Sequence, residues 1–436
     1  MNGDRLTENR DSPLSTISVR FVNASILLYT VWLLLPAVQT TGGALAGCCC
    51  VALFGVGVLL DTAYLKRQWL DFLLRVLFAA VLPLILWFYL QRGGGLFWGY
   101  YGQQGMFWFP VLFCAYARTR GDKRLWRFVK ITVLACVAIT TLTTIGWLIQ
   151  GILRGGRVYA YSRSLGSGEP GRDAYLKELM LRNIGGYDFV YATTLALPIT
   201  CYAVFASRGW RRALFITLCA AQLVMVVLSQ YTYALIFAVS IIMVEWLAAF
   251  IRFIARKLQR PLRVGPSLLW ALFPLVLAFL LRLPLIAGLA SFSESAGFQS
   301  IAHSLRLLLG ALTGNITVDP SRLDFYRLPL EAWSRSPWIG LVAGGTSMLS
   351  QHSDILDLLA GVGLVGSIAV IGMIYGMGRG MLSGMKRHPA VPHFMLQGAI
   401  LLGCALLGTV TYSRDIALLL CVGLLLGLED NRALPL

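Results

Sequence analysis

The sequence is short of charged residues, and above all of acidic ones. Only 13% of its 436 residues are charged and only 20 are Asp or Glu, whereas 57% are hydrophobic and the mean hydropathy is +0.71. A soluble domain has about a quarter of its residues charged, because its surface faces water. The composition therefore excludes a soluble fold and predicts an all-α integral membrane protein, since helices satisfy their own backbone hydrogen bonds in lipid.

The sequence also lacks the common motifs for nucleotide phosphates and for metals. It has no Gly-x-x-x-x-Gly-Lys loop and no His-Glu-x-x-His helix. Its nine cysteines comprise the run Cys48–Cys50 and others that lie singly in apolar segments, without the spacing of metal ligands. These absences argue against an energy-coupled pump and against a metal-dependent transferase, and we expect neither a metal nor a cofactor.

What the sequence has in excess is positive charge. Its 37 Lys and Arg residues give a formal net charge of +17 and a pI near 9.7. In a soluble protein such a balance would suggest a nucleic-acid partner. Here the basic residues fall mostly in short segments between apolar runs, as the positive-inside rule expects of cytoplasmic loops. We therefore expect the partner to be a lipid bilayer and not a nucleic acid.

Apolar runs long enough to cross a bilayer recur throughout the chain. About twelve are centred on residues 21–38, 43–60, 72–90, 104–117, 131–150, 187–206, 213–229, 232–251, 267–287, 353–376, 394–411 and 415–428. Every short segment on one side is basic, whereas the short turns at 39–42 and 229–232 on the other side carry no charge. This alternation predicts a single polytopic domain, residues 1–436, with both termini in the cytoplasm.

Two segments between the apolar runs are long, residues 151–186 and 288–352, and both fall on the outer side. We expect the second to carry amphipathic helices at the membrane surface. Arginine exceeds lysine in both segments. Arginine stays charged and binds phosphate in a bidentate manner, which indicates an anionic or diphosphate ligand at the outer face. The alternative is that long translocated loops simply escape the charge rule.

The start of the tenth apolar run combines a histidine with two acids. His352 directly precedes an uninterrupted apolar run, so its imidazole is expected at the outer boundary of the membrane. There it could accept a proton from a sugar hydroxyl, or simply bond to the end of the helix. Asp354 and Asp357 fall in the first turn of that helix. They either orient His352 or an arginine, or complement the positive end of the helix dipole.

Residues 321–366, SRLDFYRLPLEAWSRSPWIGLVAGGTSMLSQHSDILDLLAGVGLVG, resemble a segment of the O-antigen polymerase and O-antigen ligase superfamily. The family pattern of arginine, aromatic, Pro-x-x-Gly turn, glycines, His-Asn or His-Ser and a later glycine is matched in order by Arg322, Tyr326, Pro337, Gly340, Gly344, Gly345, His352, Ser353 and Gly363. Residues 182–198, RNIGGYDFVYATTLALP, resemble the family's arginine-glycine segment more weakly. Ser353 replaces the commoner asparagine, and no Thr-Tyr pair follows Gly363, which weakens the match to ligases.

The resemblance implies a metal-independent glycosyltransferase of the bacterial inner membrane. It would transfer a glycan from an undecaprenyl diphosphate carrier to an acceptor sugar hydroxyl at the periplasmic face. The implied catalytic residues are His352, which activates the hydroxyl, and Arg322, which binds the diphosphate. The remaining substrate-binding candidates are Arg182, Tyr187, Tyr326, Arg327, Arg335 and Asp354. We favour a polymerase, whose acceptor is another lipid-linked repeat, over a ligase, whose acceptor is lipid A-core; a chain-length regulator would be a further partner.

A transporter or flippase of lipid-linked sugars is the alternative from a different class. Glu245 keeps it open, because an acid deep in an apolar run is costly and can mark a buried partner or a pathway. The repeated halves with broken helices that are typical of such transporters are not visible in the sequence. His303, His388 and His393 are expected to form no functional constellation.

Overall fold

The computed structural model describes residues 13–62, 64–66, 68–70, 73, 112–113, 116, 123–155, 173–257, 282–313, 320–340, 353–382, 390–407 and 419. Regular structure in this part of the chain is entirely helical, which confirms the all-α prediction. Its helices are α1 (Pro13–Leu34), α2 (Pro36–Leu60), α3 (Lys123–Gly155), α4 (Asp173–Leu181), α5 (Tyr187–Ala206), α6 (Trp210–Ser229), α7 (Thr232–Lys257), α8 (Arg282–Ser295), α9 (Gln299–Thr313), α10 (Pro320–Arg335), α11 (Asp354–Leu382) and α12 (Val391–Leu407).

Several of these helices are long and apolar enough to cross a membrane. Among the described residues there are five, namely Ile17–Leu34, Phe128–Arg154, Tyr187–Ala206, Trp210–Ser229 and Thr232–Phe250. A sixth is α2, if its two parts, which meet at an angle of 91°, form one span. Large apolar side chains stay exposed on their outer surfaces, as lipid-facing residues do. The chain is therefore a helical membrane protein. Its predicted crossings at 72–90, 104–117, 267–287 and 415–428 lie mostly outside the described residues.

Three predicted boundaries differ from the observed helices. The expected turn at 39–42 lies within the first part of α2, because Pro36 starts a new helix and the sharp bend comes at Gly43, where φ is +56°. The first long segment begins inside α3, which continues to Gly155. The second begins inside α8 and continues through α9 and α10, so most of it is helical. In α9, Ile301 is buried, whereas His303 and Arg306, which point away from it, are exposed.

Short connections make α5, α6 and α7 antiparallel neighbours. The link from α5 to α6 carries Arg208 and is followed by Arg211 and Arg212; we name this side of the bundle the basic end. The opposite side holds Tyr187 at the start of α5 and the link Gln230–Tyr231 between α6 and α7; we name it the tyrosine end.

Helix α12 runs antiparallel to α5 and connects the two ends. Near its start, Phe394 packs against Ile199 and Tyr202, toward the end of α5. Near its finish, the carbonyl of Ala405 lies 3.5 Å from the hydroxyl of Ser353, the residue that precedes α11. The first turn of α11 is therefore at the tyrosine end.

Hydroxyl groups and small residues hold the first three helices together. Ser18 and Ser25 of α1 donate hydrogen bonds to the carbonyls of Gly57 and Cys50 in α2, at 2.8 Å and 2.6 Å. Thr140 of α3 donates to the carbonyl of Leu34 at 2.9 Å. Such contacts are common between helices in membranes, where lipid gives no hydrophobic drive for association. They fix α3, against which the candidate site is built.

Candidate functional site

The turn between α4 and α5 is fixed by threonine side chains of α3. Asn183 sits in the left-handed conformation, with φ +61°, and its amide donates to the hydroxyl of Thr140 at 3.1 Å. The backbone carbonyl of Asn183 accepts a hydrogen bond from the hydroxyl of Thr143 at 2.6 Å. The backbone N–H of Gly185 donates to the buried hydroxyl of Thr144 at 2.8 Å. The segment that carries the weaker family resemblance is therefore held in one position as it enters α5.

Arg182, next to this turn, lies on the surface. Its guanidinium pairs with Glu178 one turn earlier at 2.6 Å, and both side chains are more than half exposed. An exposed pair of this kind contributes at most about 1 kcal/mol to stability, so the arginine can exchange this partner for another anion. The structure thus places Arg182 beside the fixed turn and leaves its side chain accessible.

Three tyrosines form a cluster at the tyrosine end. The ring centroid of Tyr187 is 4.6 Å from that of Tyr191 and 5.1 Å from that of Tyr231. Tyr191 is buried, whereas Tyr187 and Tyr231 are half-buried. Burial, followed by the neighbouring Tyr187 and Asp188, raises the pKa of the Tyr231 phenol. The phenol therefore stays neutral and can donate as well as accept a hydrogen bond.

The first turn of α11 brings Asp354 to this cluster. Ser353 is the N-cap of α11: its hydroxyl accepts from the N–H of Leu356 at 3.3 Å, and its carbonyl accepts the first helical bond, from Asp357, at 2.9 Å. Asparagine is an equally good N-cap, so serine at this position preserves the cap. The Asp354 carboxylate lies within electrostatic range of Tyr187. Two predicted site residues from distant parts of the sequence, Tyr187 and Asp354, therefore lie at the same end of the bundle.

Asp354 and Asp357 are both buried, with exposed fractions of 4% and 1%. A carboxylate that only complements a helix dipole can remain in water, and burying it costs free energy unless it finds partners. Both residues take part in polar or electrostatic contacts. Their burial favours the reading in which they orient other groups.

A second contact joins α10 to α11 through backbone alone. Helix α11 is broken at Gly363, where φ is +65°. The break frees the N–H groups of Leu364 and Val365, which donate to the carbonyls of Pro337 and Trp338 at 2.9 Å and 3.1 Å. The turn after α10 thus caps the second half of α11.

Glycine is required on both sides of this contact. A Cβ on Gly340 would meet the carbonyl oxygen of Gly361 and the amide nitrogen of Gly363 at 2.5 Å, and φ at Gly340 is +73°. A Cβ on Gly363 would in turn meet the amide nitrogen of Gly340. Three positions of the family pattern, Pro337, Gly340 and Gly363, therefore lie against one another.

The other candidates on α10 are partly described. The Tyr326 hydroxyl donates to the carbonyl of Leu407 at 3.3 Å, which brings it near the C-terminal end of α12 and so near Ser353. Arg327 is exposed and pairs with Glu331 one turn later, and Arg335 is exposed at the end of the helix. Arg322 belongs to the first turn of α10, where its side chain is outside the described part, and His352 lies outside the described residues.

The expectation that His393 forms no constellation is wrong. Its Nδ1 lies 2.5 Å from a carboxylate oxygen of Glu245, and both side chains are buried, on α12 and α7 respectively. Tyr202 of α5 is also close, with its ring centroid 5.3 Å from that of His393. This pair lies toward the basic end. It identifies His393 as a buried partner of Glu245, which the sequence alone left open. Sequence reasoning missed it because the two residues are 148 positions apart.

Comparison with protein-family models, with curated proteins and with solved structures finds no match to this chain. Within the described ranges, no three His, Cys, Asp or Glu side chains are placed to share a metal ion. The functional proposal therefore rests on the sequence resemblance together with the site geometry.

Proposed function

We propose that this protein is a glycosyltransferase of the O-antigen polymerase type. The observation that carries the proposal is the contact of the Pro337–Gly340 turn with Gly363. These positions belong to the family pattern but are separated by more than twenty residues, and their direct backbone contact gives a physical reason for the spacing. The same helix, α11, begins two residues after His352 and has Asp354 in its first turn, at the tyrosine end.

In this proposal the tyrosine end faces the periplasm of a bacterial inner membrane and the basic end faces the cytoplasm. The proposal is supported by the location of Arg208, Arg211 and Arg212 at one end and of the uncharged Gln230–Tyr231 link at the other. About twelve crossings, two long periplasmic segments and cytoplasmic termini complete the topology.

The proposed reaction is a single displacement. The acceptor hydroxyl oxygen forms a bond to the anomeric carbon of the donor sugar, while the bond from that carbon to the undecaprenyl diphosphate oxygen breaks. His352 takes the hydroxyl proton, and Arg322, with Arg327 and Arg182, stabilises the diphosphate that leaves as an anion. Arg182 and Arg327 support this role because each is exposed and pairs with a surface carboxylate, Glu178 and Glu331 respectively. Attack from the opposite face predicts inversion at the anomeric carbon.

The test compares purified wild type with His352→Ala and Arg322→Ala, using a synthetic polyprenyl-diphosphate oligosaccharide. Arg306→Ala is the matched control, because Arg306 is an exposed arginine of the same long segment that pairs with Glu294. We expect polymer and free carrier diphosphate from wild type and control, and a loss of at least about 100-fold in both site variants. Equal activity in all four proteins, or a product with retained configuration, would contradict the mechanism.

A ligase is the closest alternative and differs only in its acceptor. Wild type that releases carrier diphosphate with lipid A-core, but makes no polymer from lipid-linked repeats, would be a ligase. In cells, a deletion strain with single-repeat caps on its lipopolysaccharide would support the polymerase, whereas uncapped core with accumulated lipid-linked polymer would support the ligase.

One observation favours a second candidate, a transporter of lipid-linked sugars. The buried pair of Glu245 and His393 is the kind of intramembrane ionisable site that marks proton pathways in transporters. Movement of the intact donor lipid across liposomes by wild type, without any new glycosidic bond, would support that function and exclude the polymerase.

A further inference from the structure

Gln230, in the link between α6 and α7, combines two unfavourable features. Its backbone is left-handed, with φ +55°, and among the described residues only Asn183 shares a positive φ without being glycine. Asparagine tolerates this conformation and glycine adopts it freely, whereas a glutamine there is strained. Its position directly after a helix is one that glycine usually fills.

The side chain of Gln230 is also buried without compensation. Its exposed fraction is 3%, and neither its amide oxygen nor its amide nitrogen finds a hydrogen-bond partner in the described part of the chain. Burying an amide in this way costs free energy, because its bonds to water are lost and not replaced. Strain and an unsatisfied buried group at one residue are typical of sites that a ligand completes.

The surroundings of Gln230 indicate what such a ligand would be. Tyr231, the next residue, packs its ring 5.1 Å from Tyr187, and both rings are half-buried. Asp354, next to Ser353, lies at the same end of the bundle. No described arginine or lysine takes part in this cluster, so it is not built for a phosphate. Aromatic faces, phenol hydroxyls, an amide and a carboxylate instead suit the faces and hydroxyl groups of a neutral sugar ring.

We propose that Gln230, Tyr231 and Tyr187 form a subsite for an uncharged sugar ring, with the Gln230 amide as its main polar contact. The amide offers two donors and one acceptor oxygen, enough to bind two neighbouring hydroxyl groups at once. This inference rests on the proposed function, in which the ring belongs to the acceptor glycan. It assigns the acceptor to the α5–α7 side of the site and leaves the diphosphate to the arginines.

The test replaces Gln230 by glycine, which removes the amide and relieves the backbone strain. Gln230→Asn is the second variant, because asparagine keeps an amide and tolerates the left-handed conformation but is shorter by one methylene group. Gln222→Leu is the control, since Gln222 is a buried amide of α6 that lies eight residues before Gln230, about 12 Å along the helix. Each full-length protein is purified in detergent, and its apparent Tm is measured.

Binding is measured by saturation-transfer NMR with methyl glycosides of glucose, galactose, mannose, rhamnose and N-acetylglucosamine. We expect wild type and Gln222→Leu to bind at least one of them equally well, and inorganic phosphate not to compete. Gln230→Gly should bind that sugar at least about 10-fold more weakly, the equivalent of one lost polar contact of 1.4 kcal/mol, while its apparent Tm stays unchanged or rises. Gln230→Asn should keep the wild-type Tm and bind with intermediate affinity.

Three results of the binding and stability measurements would overturn the subsite: unchanged binding in Gln230→Gly, a joint loss of affinity and apparent Tm in both Gln230 variants, or no sugar bound by wild type. Sugar binding that depends on Gln230 in a protein that makes no glycosidic bond would keep the subsite and refute the polymerase. Normal polymer formation by Gln230→Gly, with an unchanged KM for the acceptor, would refute the subsite and keep the polymerase.

Discussion

Replacing either member of the Glu245–His393 pair should destabilise the protein more than replacing both. The two side chains are buried, and a single 2.5 Å contact between them links α7 to α12. Leucine at one position leaves the other polar group buried without its partner, which costs about 3–5 kcal/mol in buried pairs of this kind. Leucine at both positions removes the orphaned group and is expected to be close to neutral.

The assay is a double-mutant cycle on the free energy of unfolding. Wild type, Glu245→Leu, His393→Leu and the double variant are unfolded in the same detergent. We expect the coupling between the two sites to be at least about 3 kcal/mol, because the double variant should recover most of the stability that each single variant loses. Gln397→Leu is the control: it removes one neutral hydrogen bond, from its Nε2 to the carbonyl of Leu195, and should cost about 1 kcal/mol.

Additive losses in the double variant would refute this reasoning. They would mean that each side chain contributes through its own packing, and that the contact itself adds nothing. Single variants with wild-type stability would have the same consequence, since they would show that a buried partner is not needed at either position.

Two further predictions concern the backbone of the site. Gly363→Ala should cost at least about 1–2 kcal/mol of stability from its φ of +65° alone, and more from the clash with Gly340. Both the apparent Tm and the transfer activity should therefore fall. Gly288→Ala is the control: a Cβ at Gly288 would meet open space, so neither quantity should change. Thr144→Val keeps the shape of the side chain but removes the acceptor for the Gly185 N–H. It should lower the free energy of unfolding by about 1–3 kcal/mol, measured in an unfolding titration. An unchanged free energy of unfolding would show that the turn before α5 does not depend on this hydrogen bond.

The sequence predicted the helices well because their signal is local. Apolar runs of sufficient length identify α1, α3, α5, α6 and α7, and the bounds differ mainly at their ends. The break at Leu35 was not predicted, although Pro36 gives a local reason for it. The second long segment, 288–352, was predicted to carry amphipathic helices, and it contains the helices α9 and α10.

The contacts between helices could not be predicted in the same way. In water, the polar face of a helix reveals which side is buried, but in lipid both faces of a helix are apolar. The apolar runs of α5 and α12 therefore do not show which face of each helix is buried. The pattern did locate individual candidates, such as Tyr187 and Asp354, but their proximity depends on how α5 and α11 pack.

Polar residues within apolar helices are the sequence signal that remains, and α12 shows how to use it. His393, Gln397 and Cys404 are spaced by four and seven residues, which places all three on one face, and all three are buried. A face that collects the few polar side chains of an apolar helix must point into the protein, since lipid cannot satisfy them. Applied to α7, the same argument points Glu245 inward, toward a donor on a neighbouring helix. It narrows the search for a partner to a few inward-facing residues, and only the packing of α7 on α12 selects His393.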